Sequence, residues 1–193
     1  MIDALISDIR ADYSSPYTEL AKEKRLIILT AHRRENLEKL EAIFKAVRRA
    51  VEVCADLCVI YPVHKNEKIL FAAKKVFSDT SGVYLCDPMS AYDFHNLLSL
   101  AELVLTDSGG VHEEAFYLEK PTLILRKSTE RKELLSNSRI KLVGTNENNV
   151  FKAMIEMLEN AERNLRSCEK THPIGNGSAS RIIADILEEK IKD

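Results

Sequence analysis

At 193 residues, 45% of them apolar, the chain has enough material for one real core. Its 28 basic and 30 acidic residues leave a formal net charge of −2, which argues against a nucleic-acid surface, where a basic excess would be needed. No apolar run approaches the roughly 18 residues of a membrane span, and Met1-Ile2-Asp3-Ala4 lacks a secretion signal's charged and apolar regions, so a soluble cytoplasmic protein with no membrane partner is expected.

Residues 3–22 read as a weakly helical segment broken at Ser14-Ser15-Pro16. Leu26 to Leu29, an apolar run bounded by charges, predicts a buried parallel strand. The cluster His32-Arg33-Arg34 follows it and opens onto a helix from about Leu37 to Val53, with Leu40, Ile43, Phe44 and Val47 on one face. The end of a strand is where α/β sheets place ligands, although a solvated loop fits these residues equally well. Leu57 to Tyr61 is the second strand, closing in Pro62-Val63-His64. A helix over Glu67 to Val76, a short strand Val83 to Leu85 and a helix Ala91 to Ala101 come next. Phe94, Leu97, Leu98 and Ala101 form that helix's apolar stripe, which places Phe94 in the core; His95 falls off the stripe and is expected in solvent.

Leu103 to Thr106, the turn Asp107-Ser108-Gly109-Gly110, helical residues Val111 to Lys120 and the run Thr122 to Leu125 spell a βαβ unit. Two adjacent glycines let backbone approach a ligand, Ser108 is placed to cap the helix, and the helix start offers free N–H groups to a phosphate. Val111, Ala115 and Leu118 share the stripe facing the sheet, and Glu114 lies at its edge, leaning back towards the turn. A carboxylate repels phosphate but accepts hydrogen bonds from sugar hydroxyls, so phosphate beside a ribose is the ligand that suits both features. An ordinary tight turn with a solvated Glu114 is the plainer alternative. Ser128-Thr129-Glu130-Arg131 sets a guanidinium at the next strand end. His112 is expected on a solvated face of its helix. A sixth strand over Ile140 to Val143 ends at Gly144; a helix Asn148 to Asn160, a loop His172 to Ser178 and a final helix over about 178–191 complete the chain. Alternating strands and helices predict a doubly wound, Rossmann-like parallel sheet of about six strands, with residues 1–193 as a single domain. Cys54, Cys58, Cys86 and Cys168 show no CxxC spacing and read as reduced core thiols. Neither a hydrolytic triad nor HExxH occurs, so no metal and no cofactor are expected.

Taken together and in order, Ile2-Asp3-Ala4-Leu5, Thr30 to Asn36, Tyr61 to His64, Thr106 to Gly110 with Glu113-Glu114-Ala115, Lys120-Pro121, Leu125-Arg126, Thr129 to Arg131 and Leu142 to Gly144 carry a resemblance. The chain resembles the C-terminal half of the non-hydrolysing UDP-N-acetylglucosamine 2-epimerases, whose two-domain fold is like that of GT-B glycosyltransferases. The resemblance implies that Ser108, Gly109 and Gly110 hold the UDP diphosphate, Glu114 the ribose hydroxyls and Arg131 the phosphates, with Met89 and Phe94 lining the uridine pocket. It implies a catalytic His32 at the sugar and diphosphate, and a second, regulatory UDP-sugar site involving Arg33 and His64. UDP and UDP-N-acetylhexosamine are the implied ligands, and supply of sugar to cell-surface polysaccharides the implied setting. The family's carboxylates that move the C2 proton lie in an N-terminal domain, an implied partner in cis or as a separate chain; residues 1–22 would follow the interdomain junction, and a homodimer is a further expectation. The chain departs from the family's usual glutamine at His112, proline at Phe116 and Lys132, glycine near Asn137, and closing Asn-Pro-Tyr-Gly-Asp-Gly at His172 to Gly177. A glycosyltransferase half, opposed by the His32 to Asn36 run, and a non-catalytic UDP-sugar sensor are the alternative readings.

Overall fold

The computed structural model describes residues 1–160 and 175–192. Six strands, β1 (Arg25–Thr30), β2 (Leu57–Pro62), β3 (Val83–Cys86), β4 (Leu103–Thr106), β5 (Thr122–Ile124) and β6 (Ile140–Leu142), form one all-parallel sheet in the order β3-β2-β1-β4-β5-β6. The strand order reverses between β1 and β4, where Ile28 pairs with Val104 and Thr30 with Thr106. Divergence of the chain at such a switch point opens a crevice at the carboxyl ends of the strands.

Both faces of the sheet are covered, which is why the strands are near-continuous apolar runs. Ile27, Leu29, Val59, Tyr61 and Leu105 alternate onto one face. There they meet Phe44 and Val47 of α3 (Leu40–Val53), Ile69 of α4 (Glu67–Phe77) and Met154 of α7 (Glu147–Glu159). Leu26, Ile28, Cys58, Ile60 and Val104 face the other way, against Leu97 and Leu98 of α5 (Ala91–Leu100) and Ala115 of α6 (Gly109–Tyr117). Phe94 and Met89 pack against this second cluster. A third, smaller cluster joins Phe116, Ile124, Leu134 and Ile140.

The N-terminal segment is two helices, α1 (Ile2–Asp8) and α2 (Pro16–Glu23), Pro16 opening the second because its missing N–H costs nothing at a first turn. The helix expected from Leu37 starts as a 3-10 stretch over Arg34–Lys39 and becomes α-helical at Leu40. The glycine-turn helix begins two residues earlier than expected and ends at Tyr117, where Glu119 takes a φ of 58°. The last helix, α8 (Ala179–Lys192), leaves Ile183, Ile186, Leu187 and Ile191 exposed. Of the cysteines, Cys58 is buried while Cys54 and Cys86 are half-buried free thiols; Cys168 and His172 lie outside the described residues. Among the described residues no helix is long and apolar enough to cross a membrane.

His95 and His112 correct the expectation of solvated rings, being 5% and 0% exposed. His95 borders the α5 stripe, one turn before Leu98, and is drawn in by Asp8. His112 shares a face with Phe116, and that face is covered because α6 packs on the third cluster as well as on the sheet.

Candidate functional site

At the switch point the ends of β1 and β4 are tied together by the Thr30 and Thr106 hydroxyls, 2.6 Å apart. Asp107 follows, fully buried, and its carboxylate accepts from the backbone N–H of His32 (3.0 and 3.1 Å), from that of Arg33 (2.9 Å) and from Asn36 Nδ2 (3.0 Å). Asn36 Nδ2 also donates to the Leu125 carbonyl at 3.0 Å, and Tyr61 Oη donates to the Ala31 carbonyl at 2.7 Å. The loop 31–36 is thereby fastened to β2, β4 and β5, which fixes where His32 and Arg33 emerge. In the sequence Asp107 and Asn36 read only as turn and loop residues. Their partners lie 71 to 75 and 89 positions away, so local pattern carried little trace of them.

Ser108 precedes α6 with extended backbone, but its side chain makes no capping hydrogen bond, contrary to expectation; its N–H donates to Thr106 Oγ1 at 2.9 Å instead. Gly109 and Gly110 form the first turn, and neither has a positive φ. A Cβ at Gly109 would lie 3.4 Å from Glu130 Oε1 and 3.8 Å from Arg33 Nη2, and one at Gly110 3.4 Å from Met1 Sδ. These are ordinary contacts. Neither dihedral strain nor crowding by the chain itself demands glycine at these two positions.

Charge around this turn is balanced internally. Arg126, only 8% exposed, bonds Glu130 through Nη1 at 2.8 Å, and its buried Nε, without a hydrogen-bond partner, has Glu35 at 3.5 Å. Arg33 lies 3.8 Å from Glu130 and 3.9 Å from Glu35. Arg131 is paired with Glu113. Glu130's own backbone amide, and then Arg126, hold its carboxyl below the ordinary carboxylate range. Against these groups sits His112, with both ring nitrogens buried and lacking a hydrogen-bond partner; burial lowers its pKa and keeps the ring neutral.

Glu114 lies one helical turn beyond Gly110 and is 9% exposed, so it is no solvated helix residue. His95 Nε2 stands 3.4 Å from its Oε1, and burial raises the Glu114 carboxyl pKa, opposed by His95. On the other side of the switch point the rings of His32 and His64 stack at 5.8 Å, 13° from parallel. A cleft of about 830 Å³ opens beside them, lined by His64, Lys65, Tyr17, Cys86 and Met89 among others. The Tyr17 hydroxyl is pushed up to about 12 by burial and its Cys86 neighbour. Thus the structure brings His32 next to His64, sets Arg33 beside Gly109, and puts Met89 and His64 on one cleft. Phe94 serves the core beneath, and Arg131 is engaged by Glu113. Among the described residues, no group of three or more His, Cys, Asp or Glu side chains is arranged to hold a metal ion.

A family model described as UDP-N-acetylglucosamine 2-epimerase matches residues 1–188. The chain belongs to that family. A Bacillus subtilis (strain 168) protein named UDP-N-acetylglucosamine 2-epimerase is 43% identical over 187 residues, which are 96% of this chain and 49% of that protein. Among solved structures, an S. aureus MnaA–UDP co-structure superposes with a TM-score of 0.90 at 37% identity, covering 99% of this chain and 53% of that one. The UDP-GlcNAc 2-epimerase from Neisseria meningitidis, bound to UDP-GlcNAc, gives 0.85 at 29% identity, covering 97% and 53%. The chain spans about half the length of the curated UDP-N-acetylglucosamine 2-epimerases it matches. Those relatives therefore contain about as much chain again, and the doubly wound sheet here corresponds to one half of their fold.

Proposed function

We propose that this chain is the nucleotide-binding, C-terminal half of a cytoplasmic UDP-N-acetylglucosamine 2-epimerase, which interconverts UDP-N-acetylglucosamine and UDP-N-acetylmannosamine by eliminating UDP and adding it back. The observation that carries the reading is the first turn of α6. Two glycines stand there without a conformational or internal packing reason, at a helix N-terminus on the switch point, with a buried acid one turn further on. Bare amides at a helix start suit a diphosphate, and Glu114 suits the ribose hydroxyls. UDP is present in the S. aureus relative's structure and UDP-GlcNAc in the Neisseria one.

In this reading the phosphates lie on Ser108, Gly109 and Gly110, with His32 beside them. Arg131 exchanges Glu113 for phosphate, and Met89 and Phe94 back the uridine. The N-terminal amides of α6 and the guanidinium then stabilise charge on the departing diphosphate. Arg33 and His64 belong to the second, regulatory UDP-sugar site. The proton at C2 requires a free, placed base. Asp107 is consumed by loop amides, and Glu35, Glu113 and Glu130 face arginines, which supports assigning the base to the N-terminal half, as the family resemblance implies.

Titration calorimetry of residues 1–193 with UDP tests the proposal. Saturable binding is expected, weakened about tenfold or more in Glu114→Ala and in Arg131→Ala, as befits the loss of a charged hydrogen-bond partner. The chain alone is expected to show no epimerisation. No heat with UDP, or unchanged affinity in both variants, overturns the site.

A further inference from the structure

His95, Glu114's neighbour, has a second partner on another helix. The His95 ring is nearly sealed on α5, with Nδ1 2.7 Å from Asp8 Oδ2 and Nε2 3.4 Å from Glu114 Oε1. Asp8 closes α1, and the residue after His95 fastens the same corner: Asn96 Nδ2 donates to the Asp8 carbonyl at 2.9 Å, and its Oδ1 accepts from the Arg10 amide at 2.8 Å. An imidazole set between two carboxylates has to offer N–H to both or share a proton with one. A neutral ring donating from Nδ1 to Asp8 would otherwise aim a lone pair at Glu114. A proton on either Nε2 or Oε1 turns that approach into an attraction that holds the oxygen in place.

We infer that His95 is the positioning residue of the ribose anchor. It holds one oxygen of Glu114, leaves the other to the ribose hydroxyls, and through Asp8 makes that geometry depend on how α1 is seated. The inference rests on the assignment of Glu114 given above. Without His95, the Glu114 carboxylate is buried with no fixed orientation, and an acceptor that wanders discriminates poorly between a ribose and a sugar with one hydroxyl fewer.

The test is calorimetry of the full 193-residue chain with UDP and with 2′-deoxy-UDP, alongside thermal melts. The unmodified chain is expected to prefer UDP by about tenfold, and Glu114→Ala to abolish that preference. His95→Asn is expected to cut it below about threefold, by weakening UDP while sparing the deoxy analogue. Asp8→Ala, at a partly exposed side chain, gives a smaller cut in the same direction and decides the matter if His95→Asn does not fold. A His95 variant that keeps the full preference, or weakens both ligands equally, overturns the inference while leaving Glu114 in its role; so does an Asp8→Ala preference equal to that of the unmodified chain. If the unmodified chain shows no preference, or Glu114→Ala retains it, the assignment of Glu114 fails and this inference falls with it.

Discussion

A carboxylate removed from water is costly unless donors surround it, and Asp107 meets that condition with two backbone amides and the Asn36 side chain. It is a spacer between strand ends, and its charge fixes the loop that presents His32. Asp107→Ala is expected to cost about 2–4 kcal/mol in urea unfolding, because it strands several buried donors at once. UDP affinity should fall with it as the loop 31–36 loosens. At this scale the sequence was only partly legible. The glycines, Glu114 and His32 announce themselves because strand end, turn and helix start are adjacent in the chain. Asp107 with Asn36, and Asp8 with His95, are pairs 71 and 87 positions apart, and no periodicity or motif links them.

At the scale of elements, α6 shows why one apolar stripe is an incomplete description of a helix. Val111, Ala115 and Leu118 face the sheet, as their spacing predicts, but the strand-to-loop return through Leu134 covers a second face and takes His112 inside with Phe116. That burial has a measurable sign. The folded pKa of His112 lies below its ordinary value of 6.5, so its contribution to stability is intact above about 6.5. It is lost as the pH falls through 6.5 and on through the lower folded value, because the unfolded chain then binds the extra proton. Thermal midpoints of the unmodified chain should drop between pH 7.5 and 5.5, and His112→Gln should drop less. Equal drops would mean that the ring is not held neutral. Element types and order were readable from apolar runs and turns. Ends were not, because they are set by partners: Asn36 bonds Asp107 where the 3-10 stretch runs, and Glu119 takes a positive φ after α6.

For the molecule as a whole, the conspicuous feature is α8, which carries Ile183, Ile186, Leu187 and Ile191 at 50% exposure or more on a helix with charged residues between them. Such a stripe associates in water. Sedimentation velocity should show concentration-dependent self-association of residues 1–193, relieved by Ile183→Glu, whereas a monomer at all concentrations would mean that the stripe is not sticky. The arginines near the glycine turn carry a different consequence. Arg33, Arg126 and Arg131 each already face a glutamate, so none of the three stands as an uncompensated charge beside the turn. A diphosphate that engages one of these arginines displaces its acid in an ion-exchange step, and its charge is then added to a molecule that already stands at −2.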